Sequence, residues 1–191
     1  MTMPIRLLNA GSSSIKYQVI DADDETVLAS GLIQRIGDEY GTIDHTVDGR
    51  THHQERGFPT HGRALRVMTP LFEEHGPRLA DVVAVGHRTV HGGAAFRETT
   101  LVTDEMLDTL RELSPLAPLH NPPAIAGIEA ARNALPDVPH VAIFDTAFFA
   151  SLPPEAYTYA VPSDLAKTHH VRKYGFHGTS HSYVSKRVAE F

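Results

Sequence analysis

The chain has 191 residues, of which 41% are hydrophobic and 21% charged, a formal net charge of −6 and no cysteine. This is the composition of a soluble globular protein with one large domain, or one domain and part of another. It excludes disulfides and thiolate metal sites, and with no basic block it argues against nucleic acid or an anionic membrane as partner. No apolar run reaches the ~18 residues of a membrane span, and the start from Met1 to Arg6 has no secretory leader pattern, so the expected compartment is the cytoplasm.

Residues 4–10 and 15–21 read as two strands around the turn Gly11-Ser12-Ser13-Ser14. Ala22 to Glu25 is a polar turn, and Thr26 to Ile36 is a third strand. The first three strands therefore form a meander, to which residues 41–47 add a short fourth. Residues 60–74 carry Leu65, Met68 and Phe72 at helical spacing, with Pro70 as a kink or interruption. Asp81 to Val90 is expected to be a strand buried on both faces, because Val82 to Val85 is continuously apolar.

Thr103 caps a helix with Asp104 and Glu105 in its first turn and Met106, Leu107, Leu110 and Leu113 as its apolar stripe. Asn121-Pro122 reads as an N-cap followed by proline at the first helical position, and Ile125, Ile128 and Leu135 make that helix amphipathic. Pro139 to Phe144 is a buried strand ending at Asp145. After Pro153-Pro154, Tyr157 to Val161 is expected to open a second domain with a strand, and Ser180 to Phe191 is a helix whose apolar pattern carries no terminal cap. The order βββ-α-β-α-α-β makes an α/β layout with an antiparallel start and later parallel strands.

Chemistry concentrates in five places. The turn Gly11 to Ser14 with Lys16 offers amides, hydroxyls and a cation, the parts a phosphate needs, although it feeds a strand where a P-loop feeds a helix. On its own it also fits an ordinary β-turn rich in turn formers. Arg88, in Gly86 to Gly93, ends a strand where α/β sheets bind ligands; it suits a carboxylate, a phosphate or a structural ion pair. His120 precedes a helix start that favours an anion. Asp145 ends a buried strand among apolar neighbours, an expensive place for a carboxylate without a cation or arginine. His177-Gly178-Thr179-Ser180-His181 has glycine where a zinc-protease helix has glutamate, so a phosphate-facing turn fits better than a metal site built from His87, His91, His177, His181 and Asp145. The pairs His52-His53 and His169-His170 read as surface residues.

Taken in order, Asn9 to Lys16, Gly86 to Gly93, Ala117 to Pro123, Phe144 to Phe148 and Tyr174 to His181 closely resemble the motifs of the N-terminal half of the acetate kinase family, from about residue 5 onward. The resemblance implies an actin-like ATPase (ribonuclease H-like) domain with a βββαβα core over residues 1–150, and the beginning of a second, similar domain over 151–191. It implies direct in-line transfer between ATP and acetate with Mg²⁺, giving acetyl phosphate, by a protein that is a homodimer in its full-length form. Carried over by position, Asn9 contacts magnesium and the terminal phosphate, and Ser12, Ser14 and Lys16 surround the phosphates. Arg88 holds the acceptor carboxylate, with Val90, Leu119 and Phe176 around its methyl group. Asp145 is the essential acid, and His120 and His177 donate to the phosphoryl group in transit. Phe149 stands where family members often have histidine.

The family chain is about twice as long, and the resemblance places the adenosine site, a second arginine and a magnesium-binding glutamate in its other half. This chain alone is therefore expected to bind nucleotide poorly, to show little activity and to expose apolar surface near Val184, Val188 and Phe191. A propionate or butyrate kinase relative, or a non-catalytic phosphate-binding and dimerising fragment, is the competing expectation.

Overall fold

The computed structural model describes residues 2–191. One sheet of eight strands organises them. In chain order these are β1 (Pro4–Ala10), β2 (Ser14–Asp21), β3 (Val27–Gln34), β4 (Gly41–Val47), β5 (Arg50–Arg56), β6 (Ala84–Thr89), β7 (Thr100–Leu101) and β8 (His140–Phe144). Across the sheet they run β5-β4-β3-β2-β1-β6-β8-β7. The β1 to β5 stretch is an antiparallel meander, and β6 and β8 continue from β1 in parallel.

Two strands are additional to those the residue pattern predicts. β5 has no apolar residue, because an edge strand with both faces wet needs none. Its signal is Asp48-Gly49, both at positive φ, which turns the chain from Val47 to Arg50 in a two-residue hairpin loop. β7 is only two residues long and flanks β8.

The helices are α1 (His61–His75), α2 (Asp104–Glu112), α3 (Asn121–Ala134), α4 (Pro154–Tyr157), α5 (Ser163–Thr168) and α6 (Gly178–Ala189). α1 runs unbroken through Pro70. Pro70 and Arg66 both lie on the exposed side, so water can take the carbonyl that the missing N–H leaves free. Thr103 caps α2 as its sequence predicts, accepting from Met106 N. At α3 the cap differs from expectation. His120 occupies the capping position, and Asn121 is the first helical residue, with its side chain turned into the core.

α1, α2 and α3 all pack on one face of the sheet. Leu8, Ile15, Tyr17, Val19, Ile33 and Ile43 meet Leu65, Met68 and Phe72 of α1 in one core. Met106, Leu110, Ile125, Ile128, Ala142 and Phe144 form a second core around α2, α3 and β8. The opposite face carries Leu7, Gln18, Ser30, Leu32, Asp44, Thr46 and Ile143 along an uncovered hollow of about 710 Å³.

The strand from Asp81 to Val90 is thus corrected in two ways. It begins at Ala84, after a helical turn over Leu79–Asp81 that leaves Val83 exposed, and its Arg88 side faces the uncovered hollow. Tyr157 to Val161 forms no strand; Pro153-Pro154 starts the single turn of α4. α6 begins two residues before Ser180, and its Tyr183, Val184 and Val188 are exposed, as is Phe191.

Candidate functional site

Strand topology brings three side chains together at one edge of the sheet. β1, β6 and β8 are parallel, so their carboxyl ends coincide, and Asn9, Arg88 and Asp145 stand at those ends. Lys16 joins them because the β1–β2 hairpin pairs it directly with Asn9. The cleft they frame has a volume of about 660 Å³. Its wall also includes Ser14, Val90, Leu119, His120, Phe176 and His177. Ser12 lies outside that wall, exposed at the tip of the turn.

Asp145 is 1% exposed. Its carboxylate is held on both oxygens: Arg88 Nη2 donates to Oδ2 at 2.7 Å, and Arg88 Nε donates to Oδ1 at 3.2 Å. Thr179 Oγ1, on the first turn of α6, donates to Oδ1 at 3.4 Å. This is the bidentate geometry that makes an arginine–carboxylate pair strong, and it pushes the Arg88 guanidinium further up from its ordinary pKa. The edge of Arg88 that a sequence reading offers to a ligand is therefore occupied by Asp145, and Nη1 is the nitrogen left free of these bonds.

Arg88 Nη2 also lies 3.2 Å from His177 Nδ1. A guanidinium nitrogen can only donate, so Nδ1 accepts, and the imidazole proton sits on Nε2. His177 is in the left-handed conformation, with φ of 54°, immediately before α6. Gly178 makes that turn possible. Its N–H donates to Asp145 O at 2.9 Å, and a Cβ there would fall 2.3 Å from the same oxygen.

Other contacts hold the loops in register. Asn121 Nδ2 donates to His91 O at 3.0 Å, and Gly92 N donates to Thr146 Oγ1 at 3.0 Å. The His91 ring, whose pKa burial lowers, packs against Tyr174 and Phe176 with centroids at 4.5 and 5.7 Å. The Tyr174–His181 segment is thereby fastened to the loop after β6. Gly175, at φ of 73°, lies on the Phe149 ring, where a Cβ would come within 2.3 Å.

The histidines of the disfavoured metal reading do not come together. His87 alternates with Arg88 and points into the helix-covered core, while His181 packs against Phe149 away from the cleft. Among the described residues, no group of three or more His, Asp or Glu side chains is placed to hold a metal ion. Sequence reasoning also missed Asn121 as a brace and His61, the first residue of α1. Its Nε2 lies 2.7 Å from Gly11 O, in the phosphate-like turn.

The fold and this cleft define an α/β domain of the actin-like ATPase type, an antiparallel meander extended by parallel strands whose ends hold the cationic groups. The chain belongs to the acetokinase family, whose model matches residues 5–191. An acetate kinase from Clavibacter sepedonicus is 53% identical over 190 residues, covering 98% of this chain and 48% of the relative. The crystal structure of Porphyromonas gingivalis acetate kinase matches with a TM-score of 0.93 at 38% identity, covering 98% of this chain and 48% of that one. A propionate kinase from Francisella tularensis matches with a TM-score of 0.91 at 35% identity over the same shares. The chain spans about half the length of these relatives.

Proposed function

We propose that this chain is the acceptor-binding and phosphate-binding part of an acetate kinase-type phosphotransferase, which moves the terminal phosphoryl group of ATP to acetate and yields ADP and acetyl phosphate. The observation that carries the reading is the convergence of Asn9, Lys16, Arg88, Asp145 and His177 on one cleft at the ends of three parallel strands.

The chemistry suits such a cleft. An acetate carboxylate, like a glutamate with a pKa of about 4.3, is ionised at neutral pH, so no general base has to create the nucleophile. The task is to bring an anion to a polyanion in line and to neutralise charge as the phosphoryl group moves. Lys16 and the hydroxyls of Ser12 and Ser14 take the phosphates. Arg88, held flat by Asp145, turns Nη1 to the acceptor carboxylate. Val90, Leu119 and Phe176 take the methyl group. His177, with its proton on Nε2, and His120 donate to the phosphoryl oxygens. Asp145 does not accept a proton in this scheme; it orients and charges the site through Arg88.

The residues fit a magnesium ion carried mainly by phosphate and water, because Asn9 supplies one neutral oxygen and the oxygens of Asp145 are engaged by Arg88 and Thr179. When bound, the ion neutralises phosphate charge. Residues 1–150 are read as the first domain and 151–191 as the lead into a second. The full protein is read as a homodimer of the cytoplasm, on family likeness.

The deciding measurement is acetyl phosphate formation from Mg·ATP and acetate by the protein expressed from its complete reading frame, with propionate and butyrate as competing acceptors. Acetate turnover that falls in Arg88→Ala supports the reading. No phosphoryl transfer to any short carboxylate would leave a phosphate-binding module without catalysis. Preference for propionate would move the assignment to that branch, since one methylene is worth only ~1–3 kcal/mol in such a pocket.

A further inference from the structure

A turn that receives an anion must show its N–H groups and hide its carbonyls. In a planar trans peptide the C=O of one residue and the N–H of the next point in opposite directions, so fixing the carbonyl aims the amide. Three carbonyls of the turn between β1 and β2, those of Gly11, Ser13 and Ser14, are held by donors within the protein. Ser14 O accepts from Gly11 N at 2.8 Å, and Ser13 O accepts from Ile36 N at 2.9 Å. The third carbonyl, Gly11 O, accepts from a side chain, His61 Nε2, at 2.7 Å. The amides of Ser12 and Ser13 donate to no group among the described residues.

Gly11 is the weak link of such a turn. Glycine tolerates nearly any φ, so the Gly11–Ser12 peptide plane would rotate cheaply and present its carbonyl to the phosphate. His61 stands where it can prevent this. It begins α1, whose start is set by Thr60 Oγ1 accepting from Arg63 N. α1 packs along α3, and α3 in turn touches the base of the turn, where Gly127 leaves only enough room for the Ala10 side chain.

We infer that His61 is a positioning residue of the phosphate turn: its Nε2–H pins the Gly11 carbonyl outward and so aims the Ser12 amide into the phosphate position. The inference rests on the phosphate-binding reading of the cleft. It assigns His61 no contact with substrate, and it gives α1 a part in the site although none of its residues lines the cleft.

The test is an amide NMR titration of the protein expressed from its complete reading frame with inorganic phosphate and with Mg·ATP, comparing wild type, His61→Leu and His61→Gln. Leucine keeps the bulk and loses the donor; glutamine returns an N–H donor near the Nε2 position. The expected result is a Ser12 amide shift in wild type, binding weakened about tenfold in H61L with that shift lost, and recovery to within about threefold in H61Q. Equal binding and an unchanged Ser12 response in H61L would overturn the inference while leaving the phosphate site standing. Failure of the wild-type Ser12 and Ser13 amides to respond to either probe would overturn both. Equal weakening in H61L and H61Q would also overturn it, since bulk and not the donor would then be what matters.

Discussion

Arg88 Nη2 lies 2.7 Å from Oδ2 of Asp145, and the same nitrogen reaches His177 Nδ1 at 3.2 Å. One guanidinium thus ties together residues separated by 57 and 89 positions in the chain. Among the described residues Arg88 is the one permanently charged cation paired with this buried carboxylate, so its charge and the orientation of Arg88 are set by each other.

Asp145→Asn keeps the shape of that carboxylate and removes its charge. Arg88 then loses its charge-assisted partner, and His177 loses a fixed neighbour. Turnover in the complete enzyme is expected to fall by about a hundredfold, with a smaller change in KM for ATP, because alignment and charge are lost where the reaction occurs. Arg88→Ala leaves the carboxylate buried and unpaired and is expected to destabilise the fold by about 3 kcal/mol, at the low end for such a change because the arginine is partly exposed. Steady-state kinetics and urea melts check the two parts. Near-normal turnover in D145N would sink the proposed role.

Gly178→Ala tests how closely α6 must approach β8. The new Cβ would meet Asp145 O at 2.3 Å and the Phe148 Cβ at 2.8 Å, both rigid neighbours. α6 must retreat, so Thr179 and His177 are drawn off Asp145 and Arg88. Overpacking of this kind costs about 1–3 kcal/mol. A crystal structure of the variant is expected to show His177 away from Arg88, and its activity should fall more than its stability.

Much of the fold was legible in the residues, and the failures share a cause. The β1–β2 hairpin announces itself because a Gly-Ser run separates two apolar stretches, and Asp145 is visible because a carboxylate follows five strand residues. The face of β1 was not legible. The apolar Ile5, Leu7 and Leu8 straddle both faces, and Pro4, Arg6 and Leu8 are the buried side, because Ile15, Tyr17 and Val19 on β2 and the helix α1 decide which side is covered. The Arg50–Arg56 strand carries no hydrophobic signal, since hydrogen bonding to β4 holds it. The His61 contact spans 50 positions and involves an ordinary polar residue at a helix start. Such residues become visible only when the helix is docked.

Acid should unfold this protein earlier than its carboxylates alone would require. His87 Nε2 and His140 Nδ1 lie 2.9 Å apart in the core, and His140 Nε2–H donates to Leu135 O. His140 therefore accepts from His87, and a second proton on His140 Nδ1 would break that bond. Burial, then His140 and Arg6, push His87 down to about 3 from 6.5; His140, His45 and His91 are also lowered, chiefly by burial. The unfolded chain binds these protons as pH falls through about 6.5, whereas the native state holds out until far lower. Stability is thus full above about 7 and declines steadily toward pH 3, with His87 contributing on the order of 4 kcal/mol over that window. Urea midpoints measured from pH 7.5 to 4 should fall, and His87→Leu should remove the His87 share of the slope and leave the rest.

Arg6 is 1% exposed in the sheet-to-helix core, and among the described residues its guanidinium donates only to Met68 Sδ, at 3.4 Å. Its Nε has none among the described residues. Burial lowers its pKa to about 10, and the Phe72 ring, 5.7 Å away, gives only a modest cation–π contact. A buried charge with so little compensation works against folding, and its replacement by a packed apolar side chain is commonly neutral or stabilising. Arg6→Met is therefore expected to raise stability by about 1–3 kcal/mol and, by removing a nearby positive charge, to lift the His87 pKa. A thermal melt and a histidine NMR titration read both effects. A loss of stability in R6M would mean that the guanidinium has a partner beyond those described, or that the cavity cannot accept a thioether.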